Sequence, residues 1–221
     1  MQKREGEIRI PSGCAIAGIM NKKKKLILGT EIIKSIALMH ERSNGLGGGF
    51  AAYGIYPEYD DLYAIHMFYE HKGAKDDVEH FINEHFDVEM AGRIPTRKVP
   101  SIINQPIIKR YFVAPKKYKL AESGLNEDEY VVRCVMRINS CFEGAFVVSS
   151  GKNMGVFKAV GYPEDVGEFY MLDTYKAYIW TAHGRFPTNT PGWWGGAHPF
   201  ALLDLSVIHN GEISSYDTNR R

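Results

Sequence analysis

The feature that most constrains the fold is a series of short apolar runs, each closed by glycine, proline, asparagine or lysine, which recurs almost to the end of the chain. Residues 14–20 (CAIAGIM) lie between Gly13 and an asparagine followed by four lysines, and a run of that length between such punctuators reads as a buried strand. Residues 50–56 and 62–69 read as a strand pair joined around 57–61. Residues 130–138 read as a further strand, with Val132, Cys134, Met136 and Ile138 alternating against Arg133 and Arg137. Residues 145–149, 155–160, 177–182 and 202–209 extend the series.

Helical spacing is rarer. From 30 to 42 it links Ile32, Ile33, Ile36, Ala37 and Met39, with Thr30 as the expected N-cap and Glu31 near the positive end of the dipole. From 77 to 86 it sets Val78, Phe81, Ile82 and His85 on one face, and a helical turn is expected over 163–170. His80 and Glu84, four apart, read as solvated helix surface rather than a metal pair. Residues 92–129 mix prolines, lysines and acids and read as an irregular insertion. Many strands with few helices predict an α+β layered fold rather than alternating βαβ units.

Bulk properties narrow the function. At 221 residues, with 44% hydrophobic and 24% charged residues, the chain has the composition of an ordinary globular domain. A net charge of +1 gives no electrostatic reason to expect nucleic acid or an anionic membrane, and the four lysines at 22–25 read as a solvated turn. Cys14, Cys134 and Cys141 match neither a disulfide framework nor paired zinc knuckles, which points to a reducing compartment. The charged start is unlike a secretory signal, and no run reaches the roughly 18 apolar residues of a membrane span. The expectation is a cytoplasmic protein. The glycines at 45–49 follow a helix and precede a strand, the wrong order for a dinucleotide fingerprint.

Three separated segments carry chemistry together. A cysteine opens a buried strand in Ser12-Gly13-Cys14-Ala15-Ile16; residues 181–190 read TAHGRFPTNT; residues 207–213 read VIHNGEI, a strand ending at Asn-Gly. Singly, these are an inert core thiol, a surface arginine and a hairpin turn. In this order they resemble the class II glutamine amidotransferases among the N-terminal-nucleophile hydrolases, most closely the amidotransferase domain of glutamate synthase. The resemblance extends through residues 40–45 (HERSNG), similar to the family's H-R-G loop, and is strongest over 185–221, where RFPTNTPGWW and HNGEISSYDTNRR stand.

That resemblance implies a four-layer α-β-β-α sandwich over 14–221, preceded by a removable leader at 1–13. It implies Cys14 as nucleophile, with its own α-amino group, exposed by removal of the leader, as general base. A free α-amino group titrates near pH 8 and can exchange protons at neutral pH, whereas a peptide nitrogen cannot. It implies an oxyanion hole from the Asn210 side chain and the Gly211 N–H, Arg185 gripping the glutamine α-carboxylate, and Thr188 and His198 lining the glutamine pocket. Ala15 stands where the family has glycine, and no residue before Arg221 matches the aspartate that holds the glutamine α-amino group, so the domain is expected to be truncated at its C-terminus. With no iron–sulfur cysteine cluster and no flavin fingerprint, the chain is expected to need no cofactor itself and to feed ammonia to separate synthase subunits carrying flavin and iron–sulfur centres. The competing expectation is an unprocessed or truncated homologue that binds glutamine or a partner without turnover.

Overall fold

The computed structural model describes residues 13–187, 191–211 and 218. They form two four-stranded antiparallel sheets with helices, and two small two-stranded ribbons. The strands are β1 (Ala15–Met20), β2 (Ile27–Leu28), β3 (Gly48–Tyr53), β4 (Tyr63–Tyr69), β5 (Phe86–Arg93), β6 (Ile107–Pro115), β7 (Ala145–Ser149), β8 (Met154–Ala159), β9 (Lys176–Ala177), β10 (Ile179–Gly184), β11 (Phe200–Leu202) and β12 (Leu205–Val207). The helices are α1 (Gly29–Ala37), α2 (Lys72–His85), α3 (Lys117–Ser123), α4 (Glu127–Cys141) and α5 (Pro163–Phe169). The first sheet has the order β1-β10-β3-β8 and the second β5-β6-β4-β7.

Strand β4 is buried along its whole length because it serves two cores. Ala64 and Phe68 face a core that also takes Ile32 and Ile36 of α1, Val166 and Phe169 of α5, and Phe50 and Trp180 of the first sheet. Tyr63, Ile65, Met67 and Tyr69 point the other way, into a core with Val78, Phe81 and Ile82 of α2 and Val131, Val135 and Ile138 of α4. This alternation is the two-residue period of a strand covered on both faces.

The segment expected as a strand over 130–138 is instead the middle of α4. A reciprocal capping box starts that helix: Asn126 Oδ1 accepts from the Glu129 N–H at 2.9 Å, and Glu129 Oε2 accepts from the Asn126 N–H at 3.2 Å. Its buried residues, Tyr130, Val131, Cys134, Val135 and Ile138, follow helical spacing, while Met136 is exposed. The expected irregular insertion is also ordered, holding the end of β5, all of β6, and α3. Strands β3 and β4 do not pair with each other but lie in different sheets. The expected strand over 202–209 is the hairpin β11–β12, which turns at Leu203, φ 50°, and Asp204. Thr30 does not cap α1; Leu28 occupies the N-cap position without a side-chain bond. Among the described residues no helix is long and apolar enough to cross a membrane.

Candidate active site

The antiparallel register of β1 and β10 places Ala15 opposite Gly184. Cys14 stands one residue before the first of these and Arg185 one residue after the second, so both emerge at the same end of the strand pair. Arg185 is fixed there by its backbone N–H, which donates to the Gly47 carbonyl at 2.8 Å, and by Ser43 Oγ, which donates to the Arg185 carbonyl at 3.1 Å. Burial pulls the Arg185 pKa down from its ordinary value.

The segment 42–49 reaches this point because glycine permits it. Gly45 and Gly47 have φ of 73° and 155°, in the region that favours glycine, and the Arg185 side chain packs on Gly47. Arg42 Nε donates to the Cys14 carbonyl at 3.3 Å. A carbon added to Gly13 would stand 3.0 Å from the Arg42 guanidinium and 4.0 Å from Asn210 Oδ1. Cys14, Arg42, Arg185 and Asn210 are therefore gathered at one end of the first sheet. Gly211 has φ of 130°, and no atom among the described residues stands within 4 Å of where its side chain would be.

His198 also belongs to this neighbourhood. Its ring lies 4.3 Å from that of His209, immediately before Asn210, and 4.7 Å from that of His183 on β10. The His198 carbonyl packs onto Gly49 of β3, where any side chain would collide with it. Both imidazoles are held neutral. Burial, with neighbouring cationic groups, takes His183 down to about 3 and His198 to about 4.

Of the expected residues, Cys14, Arg185, His198, Asn210 and Gly211 are thus brought together; Thr188 lies outside the described residues. Arg42, within the glycine-rich stretch HERSNG, was not singled out from the sequence. Nor was Lys158 of β8, opposite Gly49 and fully buried. Its setting within an apolar run was the only cue. Cys14, Cys134 and Cys141 are free thiols, and His80 and Glu84 are exposed, the latter paired with Lys119 at 2.9 Å. No group of three or more metal-ligating side chains occurs among the described residues.

The fold is mixed α/β with antiparallel sheets, and a cysteine, two arginines and an Asn-Gly pair stand at one end of the first sheet. Residues 54–221 match the family of class-II glutamine amidotransferases, and the chain belongs to that family. The match begins beyond Cys14. A protein of Archaeoglobus fulgidus named as uncharacterized is 53% identical over 94% of this chain and 56% of its own length. A Methanothermobacter thermautotrophicus protein named "Putative glutamine amidotransferase" is 25% identical over 92% of the chain and 62% of its own length. The glutamine amidotransferase-like protein GlxB of Rhizobium meliloti is 29% identical over 34% of the chain and 25% of its own length. The chain thus spans less than two thirds of the length of these relatives.

Proposed function

We propose that this chain is the glutaminase module of a glutamine-dependent synthase, releasing ammonia from the glutamine side chain through a thioester on Cys14. The observation that supports this reading best is the convergence of Cys14, Arg185 and Asn210 at one end of the β1–β10 pair. With the 13–14 peptide bond cut, the Cys14 α-amino group takes the thiol proton and the sulfur attacks the carboxamide carbon. The tetrahedral oxyanion is met by the Asn210 amide and the Gly211 N–H, donors worth several kcal/mol in such sites. The ammonium relays its proton to the departing nitrogen, ammonia leaves, and water then cleaves the γ-glutamyl thioester to glutamate and free thiol.

Arg185 holds the glutamine α-carboxylate through a charge-assisted contact, and His198 and Thr188 wall the pocket. Neutral His198 suits a zwitterionic substrate already matched by the arginine. The two sheets, with α1 and α5 against the first and α2 and α4 against the second, support the α-β-β-α layering of N-terminal-nucleophile hydrolases. We take the ammonia acceptor to be a glutamate synthase assembly, with flavin and iron–sulfur centres on other subunits, working in the reducing cytoplasm. The likeness of the segments RFPTNTPGWW and HNGEISSYDTNRR, over residues 185–221, to glutamate synthase supports this choice.

The test is ammonia release from glutamine by the purified chain and by Cys14→Ala, each with and without residues 1–13. The expected result is activity only in the trimmed wild type. Equal release by the trimmed wild type and the trimmed Cys14→Ala variant would reject the nucleophile. Glutamine binding without ammonia release from any form would leave a binding module in place of an enzyme.

A further inference from the structure

We propose that Lys158 is a positioning residue of the amidotransferase site, its buried ammonium clamping the turn on which Arg185 and His198 rest. This inference rests on the glutaminase reading for its kinetic consequence, but not for the clamp itself.

Lys158 sits on β8 opposite Gly49, which in turn lies opposite His183 on β10. Lysine, glycine and histidine thus form one row across three strands of the first sheet. The lysine is fully buried. Its Nζ donates to the Gly195 carbonyl at 3.2 Å and lies 4.0 Å from the centroid of the Phe200 ring. Among the described residues it makes no ion pair with a carboxylate. Burial alone draws its pKa down to about 7, so it stands as the ammonium below that pH.

An unbranched thioether of similar length would fill the same space with no charge to desolvate. An ammonium is useful at this position only through what it holds. What it holds is the 193–200 segment. A carbon added to Gly196, the next residue after Gly195, would meet Arg185 Nη1 at 3.0 Å, and Arg185 Nη1 donates to the Pro191 carbonyl at 3.1 Å. Two residues beyond Gly196, the His198 carbonyl fills the space left by Gly49. The segment is therefore seated on the sheet at two neighbouring points, a cation on Gly195 and a missing side chain under His198. The guanidinium lies against it between them. Removing the cation frees one of the two seats and lets the arginine drift from its set position.

The variant is Lys158→Met, examined beside the wild type in the purified chain trimmed of residues 1–13, by hydrogen exchange of the 191–200 peptide and by the glutamine dependence of ammonia release. The clamp predicts faster exchange over 191–200 with unchanged exchange over β4 and α4. It also predicts a KM for glutamine raised roughly 10- to 100-fold, as for a lost charged hydrogen bond, with kcat held within about threefold. Lys158→Arg, which keeps the charge, should restore most of the protection. Unchanged exchange over 191–200 in Lys158→Met overturns the clamp. Faster exchange everywhere marks a merely structural lysine and also overturns it. Faster local exchange with an unchanged KM rejects the positioning role. Loosening of 191–200 alone, in a wild type that releases no ammonia, upholds the clamp and fails the glutaminase reading instead.

Discussion

Gly49→Ala is a one-carbon change that strikes the site from beneath. The added methyl would stand 3.1 Å from the His198 carbonyl carbon and well inside 3.0 Å of its oxygen, and both partners are backbone. Neither can swing aside. Gly49 is tied on both sides, to His183 and to Lys158, and cannot retreat without opening the first sheet. The His198 segment must therefore lift by about 1 Å to reach an ordinary carbon–oxygen separation. Overpacking of this kind costs about 1–3 kcal/mol, which lowers the melting temperature of a domain this size by roughly 2–12 °C. A displacement of about 1 Å near the reacting groups lowers the rate about 100-fold. Calorimetry and the glutaminase assay measure both. Gly18→Ala on β1 is the control: its nearest neighbour would be a carbonyl oxygen at 3.8 Å, and it should behave as wild type. If Gly49→Ala melts with the wild type and keeps its kcat/KM, the seating of His198 on the sheet is not what organises the site.

Three further outcomes are expected. Asn210→Ala should lower kcat by about 100- to 1,000-fold with little change in KM, because its amide acts on the oxyanion; a change confined to KM would move Asn210 to a substrate-binding role. Acidification should destabilise the fold: burial takes His66 and His183 from 6.5 to about 3, so both bind protons only after unfolding. Their contribution is whole above about pH 6.5 and falls as pH drops, by about 2 kcal/mol each at pH 5 relative to pH 7.5; urea midpoints that stay level over this range would contradict it. Asn126→Ala should cost about 1 kcal/mol by opening the capping box of α4, read as a lower urea midpoint at unchanged slope, and a neutral result would mean that α4 is held by packing alone.

The parts of the candidate site stand out in the sequence because they lie in short, distinctive segments. Cys14 before an apolar run, Arg185 after another, and Asn210-Gly211 after a hairpin are local features, and short apolar runs located β1 and β7 closely and β10 to within two residues at each end. What failed was long-range or amphipathic in the wrong period. In α4 the β-branched and apolar residues can be counted at every second position as well as at helical spacing. The alternating count took Met136 as buried, whereas the helix exposes it and buries Val131 and Val135. The decisive cue was Asn126 three residues before Glu129, a start signal lying inside the stretch set aside as irregular.

Strands β5 and β6 were missed for a related reason. β5 alternates half-buried and exposed residues after a buried Phe86, so charged residues along its solvent side masked a strand. The allocation of β3 and β4 to different sheets is set by packing and left no mark on the turn between them. Lys158 was invisible for the opposite reason, since a lysine within a strand reads as solvent-facing, and only the tertiary structure closes Gly195 and Phe200 over it.

The hold of Arg42 on the Cys14 carbonyl has a directional consequence. That bond and the ladder from Ala15 onward both lie downstream of the sulfur-bearing residue, on its carbonyl side. Severing the link to Gly13 would remove neither, so a newly freed amine could appear beside a thiol whose anchorage predates it. A cut at this bond would then expose the amine while leaving the Arg42 contact and the strand ladder in place.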